Sequence, residues 1–146
     1  MLSLLKRLTA PSPDPLDQKD ARLALSALLV RIARADEQYD MVEAAEITRV
    51  LMERYNLDHQ SAETLRSEAE QIEADAPDTV RFTRAIKDAV DYDSRAEVVE
   101  AMWQVVLADG SRDDGENALM RLVVNLLGVT DVDSAKARHR VEARQV

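Results

Sequence analysis

The stretch VVEAMWQVVLADGSRDDGE, from Val98 to Glu116, decides the fold of this chain. Its apolar residues fall on one wide face at helical spacing, which is typical of a helix buried over most of its length. The Ala-Asp pair at 108–109 and a polar turn follow, and Asp113 with Glu116 three residues later is typical of the start of another helix. The stretch therefore predicts two apolar helices joined by a short acidic turn.

The same pattern occurs 73 positions earlier, in LSALLVRIARADEQYDMVE from residue 25 to 43. The two copies share the motif A-D-x-x-x-D-x-x-E, at 35–43 and at 108–116, and Ile47 and Val50 correspond to Met120 and Val123. Internal repetition of this kind indicates two helix-turn-helix halves that share one core and are related by a pseudo-two-fold axis.

Apolar stripes and breakers predict the other helices. The chain is 46% hydrophobic but only 3% aromatic, with three glycines, and is rich in good helix formers, so we expect an all-α fold of about seven helices. Start signals lie at Asp17 or Asp20, at Asp40, at Asp58, after Pro77, at Ser94 with Glu97 as a capping box, and near Asp133, and stop signals at Asn56 and Gly128. Residues 58–78 hold seven acids and one base, which we interpret as a solvated face.

The first fifteen residues differ from the rest. Residues 1–15 comprise a short amphipathic segment and a proline-rich linker, and we place the helical domain at 16–146. The segment is too short and too charged for a signal sequence or a membrane span, so the expected location is cytoplasmic. Contact of this segment with a membrane is the alternative to a loosely docked helix.

Charge and cysteine content exclude several classes of function. The chain has 28 acidic and 19 basic residues, and a net charge of −9 repels the phosphate backbone, so we expect no nucleic-acid partner. It contains no cysteine, which excludes disulfides and thiolate metal sites.

The duplicated motif supplies six candidate metal ligands, which are Asp36, Asp40, Glu43, Asp109, Asp113 and Glu116. Helix capping is the alternative for the Asp-x-x-Glu pairs, at about 1 kcal/mol for each cap. Capping does not explain Asp36 and Asp109, because an aspartate in the last turn of a helix meets the negative end of the helix dipole. Either a neighbouring Arg34 or Arg112 or a bound cation could offset that cost.

Oxygen ligands favour the hard cations Ca²⁺, Mg²⁺ or Mn²⁺. A zinc site would normally include histidine or cysteine, and His59 and His139 lie outside both motifs. An EF-hand is excluded because the position of its final glutamate is occupied by Ile47 in one copy and Met120 in the other.

The motif and its flanks resemble the TerB-like, tellurite-resistance protein B family. The resemblance rests on the apolar helix ending in LADG at 107–110, the polar turn, Glu116, and the LGV at 127–129, and it covers about residues 20–142. It implies a compact helical fold of two related halves, a bacterial cytoplasmic setting, and a metal site at Asp36, Glu43, Asp109 and Glu116, with Asp40 and Asp113 assisting or capping. The first copy departs from the family pattern, with Glu37 in place of glycine.

The leading hypothesis is a non-enzymatic domain that binds a divalent cation through both motifs and acts with an unknown protein partner in a bacterial stress response. The alternative is a protein-interaction module, similar to that in membrane-anchored J-domain co-chaperones, whose acids only cap helices. An enzyme is disfavoured because the sequence has no nucleophile elbow, phosphate loop or histidine-based catalytic set.

Overall fold

A computed structural model of the chain describes residues 2–8, 16–34, 39, 41–108 and 114–144, and the side chains of these residues except at 2–3 and 114–117. The described ranges form eight helices and contain no strand, which confirms the all-α prediction. The helices are α1 (Leu2–Leu8), α2 (Gln18–Ala33), α3 (Met41–Tyr55), α4 (His59–Asp75), α5 (Thr79–Ala89), α6 (Tyr92–Ala108), α7 (Asp114–Leu126) and α8 (Asp131–Arg144).

Aspartate caps begin several helices. The carboxylates of Asp17, Asp58 and Asp78 accept hydrogen bonds from backbone N–H groups three residues on, at 2.8, 2.7 and 3.0 Å. The first two were expected from the sequence. The predicted capping box of Ser94 and Glu97 is wrong, because α6 begins at Tyr92 and its cap is Asp91, which accepts from the Ser94 N–H at 2.8 Å.

Left-handed residues follow two of the helices. Asn56 after α3 has φ 52° and Gly128 after α7 has φ 73°, at the stops that the sequence indicates. A Cβ at 128 would lie 2.9 Å from Cε of Lys87, but this is the end of a side chain that can move aside, so the positive φ is the reason that glycine is favoured there.

The internal repeat extends over three helices in each half. Shifted by 73 positions, α2 and α3 fall on residues 91–106 and 114–128 and α4 begins at 132, close to the bounds of α6 and α7 and the start of α8. The packing repeats as well: α2 contacts α4 as α6 contacts α8, and α3 contacts α6 as α7 contacts α2. Equivalent residues are buried alike, with Ile47 and Met120 at 0% and 1% exposure. The predicted helix-turn-helix halves are therefore each completed by a third helix.

The N-terminal segment is the eighth helix, one more than expected. Leu4 and Leu8 of α1 are buried in the core, and α1 contacts α5. Arg7 reaches the Asp20 carboxylate at 2.5 Å. The segment is thus docked on the helical bundle, while the predicted linker at 11–15 lies outside the described residues. Within the described part of the chain, no helix has the length and apolar character needed to cross a membrane.

Candidate functional site

The six predicted metal ligands lie mostly outside the described side chains. Glu43 is described, at the first turn of α3. Glu116 lies within α7, but its side chain falls outside the described set, as do the residues Asp36, Asp40, Asp109 and Asp113 altogether. That these five residues bind a metal therefore stays a prediction. The structure does show how the helices that flank them are arranged.

These elements meet at one end of the bundle. The end of α2, the start of α3 and the end of α6 enclose a cleft of about 80 Å³. Glu43 of the first motif and Ala108, the first residue of the second motif, both line it. The other residues that line the cleft are apolar except for one further acid, Glu46. They are Ile32, Ala33, Val42, Glu46, Val105 and Val106. The beginning of the second acidic turn thus lies beside the glutamate of the first.

The described side chains do not form a metal site among themselves. In the described ranges, no three acidic, histidine or cysteine side chains come together as they would around an ion. A cation at this end of the bundle would need donors from residues 36–40, 109–113 or 116, in addition to Glu43.

The helix-dipole argument concerns two residues that lie outside the described ranges. α2 ends at Ala33 with Arg34 as its C-cap, and the predicted place of Asp36 in the last turn falls on the residues beyond it that the structure does not describe. Arg34, one of the two proposed counter-charges, donates to the Glu73 carboxylate at 3.0 Å. In the second copy α6 ends at Ala108, directly before Asp109. The dipole argument for Asp36 and Asp109 therefore stays a prediction.

A network with α4 anchors both sides of the first turn. Arg31 and Arg34 donate to Glu73 at 3.2 and 3.0 Å, and the Tyr39 hydroxyl donates to Glu70 at 2.5 Å. The Arg34 guanidinium also lies 5.1 Å from the centre of the Tyr39 ring. Burial, together with the hydrogen bond to Glu70, raises the pKa of Tyr39, so the hydroxyl keeps its proton at neutral pH.

This network corrects the interpretation of residues 58–78 as a solvated face. Glu73 is only 8% exposed, and Glu70 is half-buried. The sequence did contain a signal, because Glu73 follows the buried Ile72 and lies four residues after the buried Ala69, on the edge of the apolar stripe. In the second half, Leu107 and Arg112 stand where Arg34 and Tyr39 stand in the first, so the residue types of this anchor are not repeated in the sequence.

A second cluster of charges joins α3, α6 and α8 around Glu100. Its carboxylate accepts from Arg54 at 2.5 Å and Arg140 at 2.8 Å, and Arg144 lies 3.3 Å away. Arg54 also donates to Gln104 at 3.1 Å. Burial by itself would raise the pKa of Glu100, but the hydrogen bonds from Arg140 and Arg54 outweigh it and place the pKa below its ordinary value of 4.5.

The lowered pKa of Glu100 predicts a pH-dependent contribution to stability. A carboxylate whose pKa is lower in the folded state stabilises the fold above its unfolded pKa, and that contribution is lost as the pH falls through the folded value. We therefore expect the Glu100→Gln protein to unfold at lower urea concentration than the parent at pH 7. The difference between their two urea midpoints should become smaller below about pH 4.5. Urea midpoints from pH 7 to pH 3 measure this, and a gap that stayed constant would contradict it.

The fold and the positions of the acidic turns define a class of protein, namely an all-helical domain of two three-helix repeats, each with an acidic turn between its first and second helix. The family model described as tellurite resistance protein TerB matches residues 22–139, and the chain belongs to this family. No curated protein and no solved structure matches the chain significantly.

Proposed function

We propose that the two acidic turns jointly bind a divalent cation, and that this non-enzymatic, cytoplasmic domain passes the bound state on to a protein partner in a bacterial stress response. One observation carries the proposal: Glu43 of the first motif and Ala108 of the second line the same cleft. Because Asp109 follows Ala108 directly in the chain, the carboxylates of both motifs can be supplied to one end of the bundle.

The chemistry of the donors fits a hard cation. All six motif residues are carboxylates, which are the ligands of Ca²⁺, Mg²⁺ and Mn²⁺, and six acids in two short turns repel one another when no cation is present. Glu43 and Glu46 also line the shared cleft, where the Glu46 carboxylate is paired with Arg49. A bound cation would offset this repulsion and would link α2, α3 and α6.

The anchored first turn also supports the proposal. Arg34 and Tyr39, on either side of residues 35–38, are hydrogen-bonded to α4. Asp36 is therefore only a few residues along the chain from two side chains that are held in place. Holding ligands in place before a metal binds lowers the entropy lost on binding. The first motif is therefore the half that we expect to contribute more to affinity.

A titration with calcium or manganese tests the proposal. We expect millimolar Ca²⁺ or Mn²⁺ to raise the melting temperature of chelator-treated protein, because a ligand that binds only the folded state stabilises it by mass action. The double variant Asp36→Asn plus Asp109→Asn is expected to lose this response, and isothermal calorimetry gives the affinity of each form.

The matched control is Asp75→Asn plus Asp88→Asn, which removes two exposed acids on α4 and α5 far in sequence from both motifs. It changes the net charge equally and should keep the metal response. Absence of any metal effect on the parent protein, or an equal response in the parent and in the Asp36/Asp109 variant, would overturn the proposal.

One observation favours the second candidate function, an interaction module whose motif acids only cap helices. Met41 and Val42, which follow the first turn, are 87% and 76% exposed although both are apolar. On this alternative the chelator leaves the melting temperature unchanged, and binding of a partner survives loss of Asp36 and Asp109.

A further inference from the structure

The second half of α8 is basic in an otherwise acidic protein. Residues 136–144 contain four cationic side chains and one acid, whereas the whole chain carries a net charge of −9. Lys136, Arg140 and Arg144 follow one another at i, i+4 and i+8, so they form a line on one side of the helix about 12 Å long. Lys136 is exposed, and the side chains of Arg140 and Arg144 are 59% and 55% exposed.

The fourth cation of this segment lies on the other flank of α8 and does not extend the line. Arg138 is 3.6 Å from Glu142 and stacks over the Trp103 ring at 5.2 Å. It is therefore paired on its own side of the helix, next to α6 and α7.

The charges around Glu100 do not cancel. Three guanidinium groups, from Arg54, Arg140 and Arg144, surround one carboxylate, which leaves an excess of two positive charges. Two further charges, Arg22 and Glu97, both lie near Tyr55 beside Arg54 and are opposite in sign. This surface is thus positive where most of the protein is negative.

We propose that Lys136, Arg140 and Arg144 form a docking surface for an acidic segment of a partner protein. Glu100 is the internal competitor, because it occupies Arg140 and Arg144 until carboxylates of the partner replace it. The chemistry is already realised within the fold, where both arginines contact a carboxylate. A guanidinium has five N–H donors, and Arg140 and Arg144 approach Glu100 through Nε and Nη2 respectively, so each can also donate to a further carboxylate.

The dimensions and the overall charge select this kind of partner. A line of about 12 Å matches an extended segment of roughly four residues at about 3.3 Å each. A short acidic segment covers the basic line alone, whereas a long polyanion such as a nucleic acid would also approach the acidic remainder of the surface and be repelled.

The test uses fluorescence anisotropy with a fluorescein-labelled peptide of eight alternating Glu and Ala residues. The matched Gln/Ala peptide and a single-stranded oligonucleotide are the comparison ligands. The variants are Arg140→Gln plus Arg144→Gln, Lys136→Gln, and Glu100→Gln, each checked for helical content by circular dichroism. The control is Arg81→Gln plus Arg84→Gln, which removes two exposed arginines of α5 and changes the net charge equally.

We expect the parent to bind the Glu/Ala peptide and not the Gln/Ala peptide. Loss of Arg140 and Arg144 should weaken binding by up to about fivefold for each arginine, and Lys136→Gln by a smaller factor, while the control changes little. Glu100→Gln should tighten binding several-fold, since it frees two arginines, although it destabilises the fold.

Other results would overturn the proposal. These are equal weakening by the Arg81/Arg84 control, tighter binding of the oligonucleotide than of the peptide, and absence of peptide binding at millimolar concentration. Unchanged or weaker peptide binding by a folded Glu100→Gln protein would also overturn it. Should Glu100→Gln fail to fold, Lys136→Gln decides, because this exposed lysine is not among the Glu100 contacts and unchanged peptide binding by that variant would equally overturn the proposal.

Discussion

Phe82→Ala is expected to lower the free energy of unfolding by about 3–5 kcal/mol, the largest effect of any single substitution considered. Phe82 is the only phenylalanine of the chain, is 1% exposed, and belongs to the common core of the bundle. Truncation of Phe82 leaves a cavity in the core beside α5, whose apolar stripe continues through Ile86 and Ala89. The Arg31 guanidinium, 5.5 Å from the ring centre, would also lose its aromatic contact.

Urea denaturation and calorimetry measure the effect. For a chain of this length, a loss of this size corresponds to a decrease in Tm of roughly 10–15 °C. The control is Phe82→Leu, which keeps most of the buried volume and should cost less than half as much. A Phe82→Ala protein that melted within a few degrees of the parent would contradict the described packing of α5.

Glu73→Ala should have the second largest effect and lower the free energy of unfolding by about 2–4 kcal/mol. It leaves two arginines beside a buried site without the carboxylate that they contact. The Glu73 side chain is 10% exposed and Arg31 15%, so solvent screens the pair little. Arg31 keeps its hydrogen bonds to the carbonyls of Pro77 and residue 73, at 2.7 and 3.1 Å, which limits the loss.

The matched control for Glu73 is Asp75→Ala, which removes an exposed acid of the same helix and should change stability by no more than about 0.5 kcal/mol. Chemical denaturation at pH 7 compares the two. Equal effects would show that charge reduction on α4, rather than the ion pairs with α2, determines the outcome.

The helices could be predicted because each carries its own signals. The stripe Ile47, Val50 and Leu51 is fully buried, and Asp58 caps α4, as spacing and residue type indicate. The repeat could be seen in the sequence because positions that are buried alike in the two halves carry similar residues at the same spacing. The third helix of each half was not recognised as part of the repeat, because α4 is acidic and α8 is basic and only their packing is alike.

The candidate site was predictable only in part. The motif shows which carboxylates are duplicated, and the structure adds that α2, α3 and α6 meet beside Glu43, while joint use of both turns stays a prediction. The anchoring of Arg34 by Glu73 is a contact across 39 residues, and periodicity identifies the face on which a residue lies but not its partner. For the same reason, the three arginines around Glu100 could not be paired from the sequence.

The central claim is that two acidic turns share one cation, and anomalous diffraction from crystals grown with manganese tests it most directly. We expect an anomalous peak at the end of the bundle where Glu43 and Ala108 meet. Carboxylate oxygens from both 36–43 and 109–116 should lie within about 2.0–2.6 Å of it. A peak held by one turn alone, or no peak there at millimolar manganese, would contradict the claim.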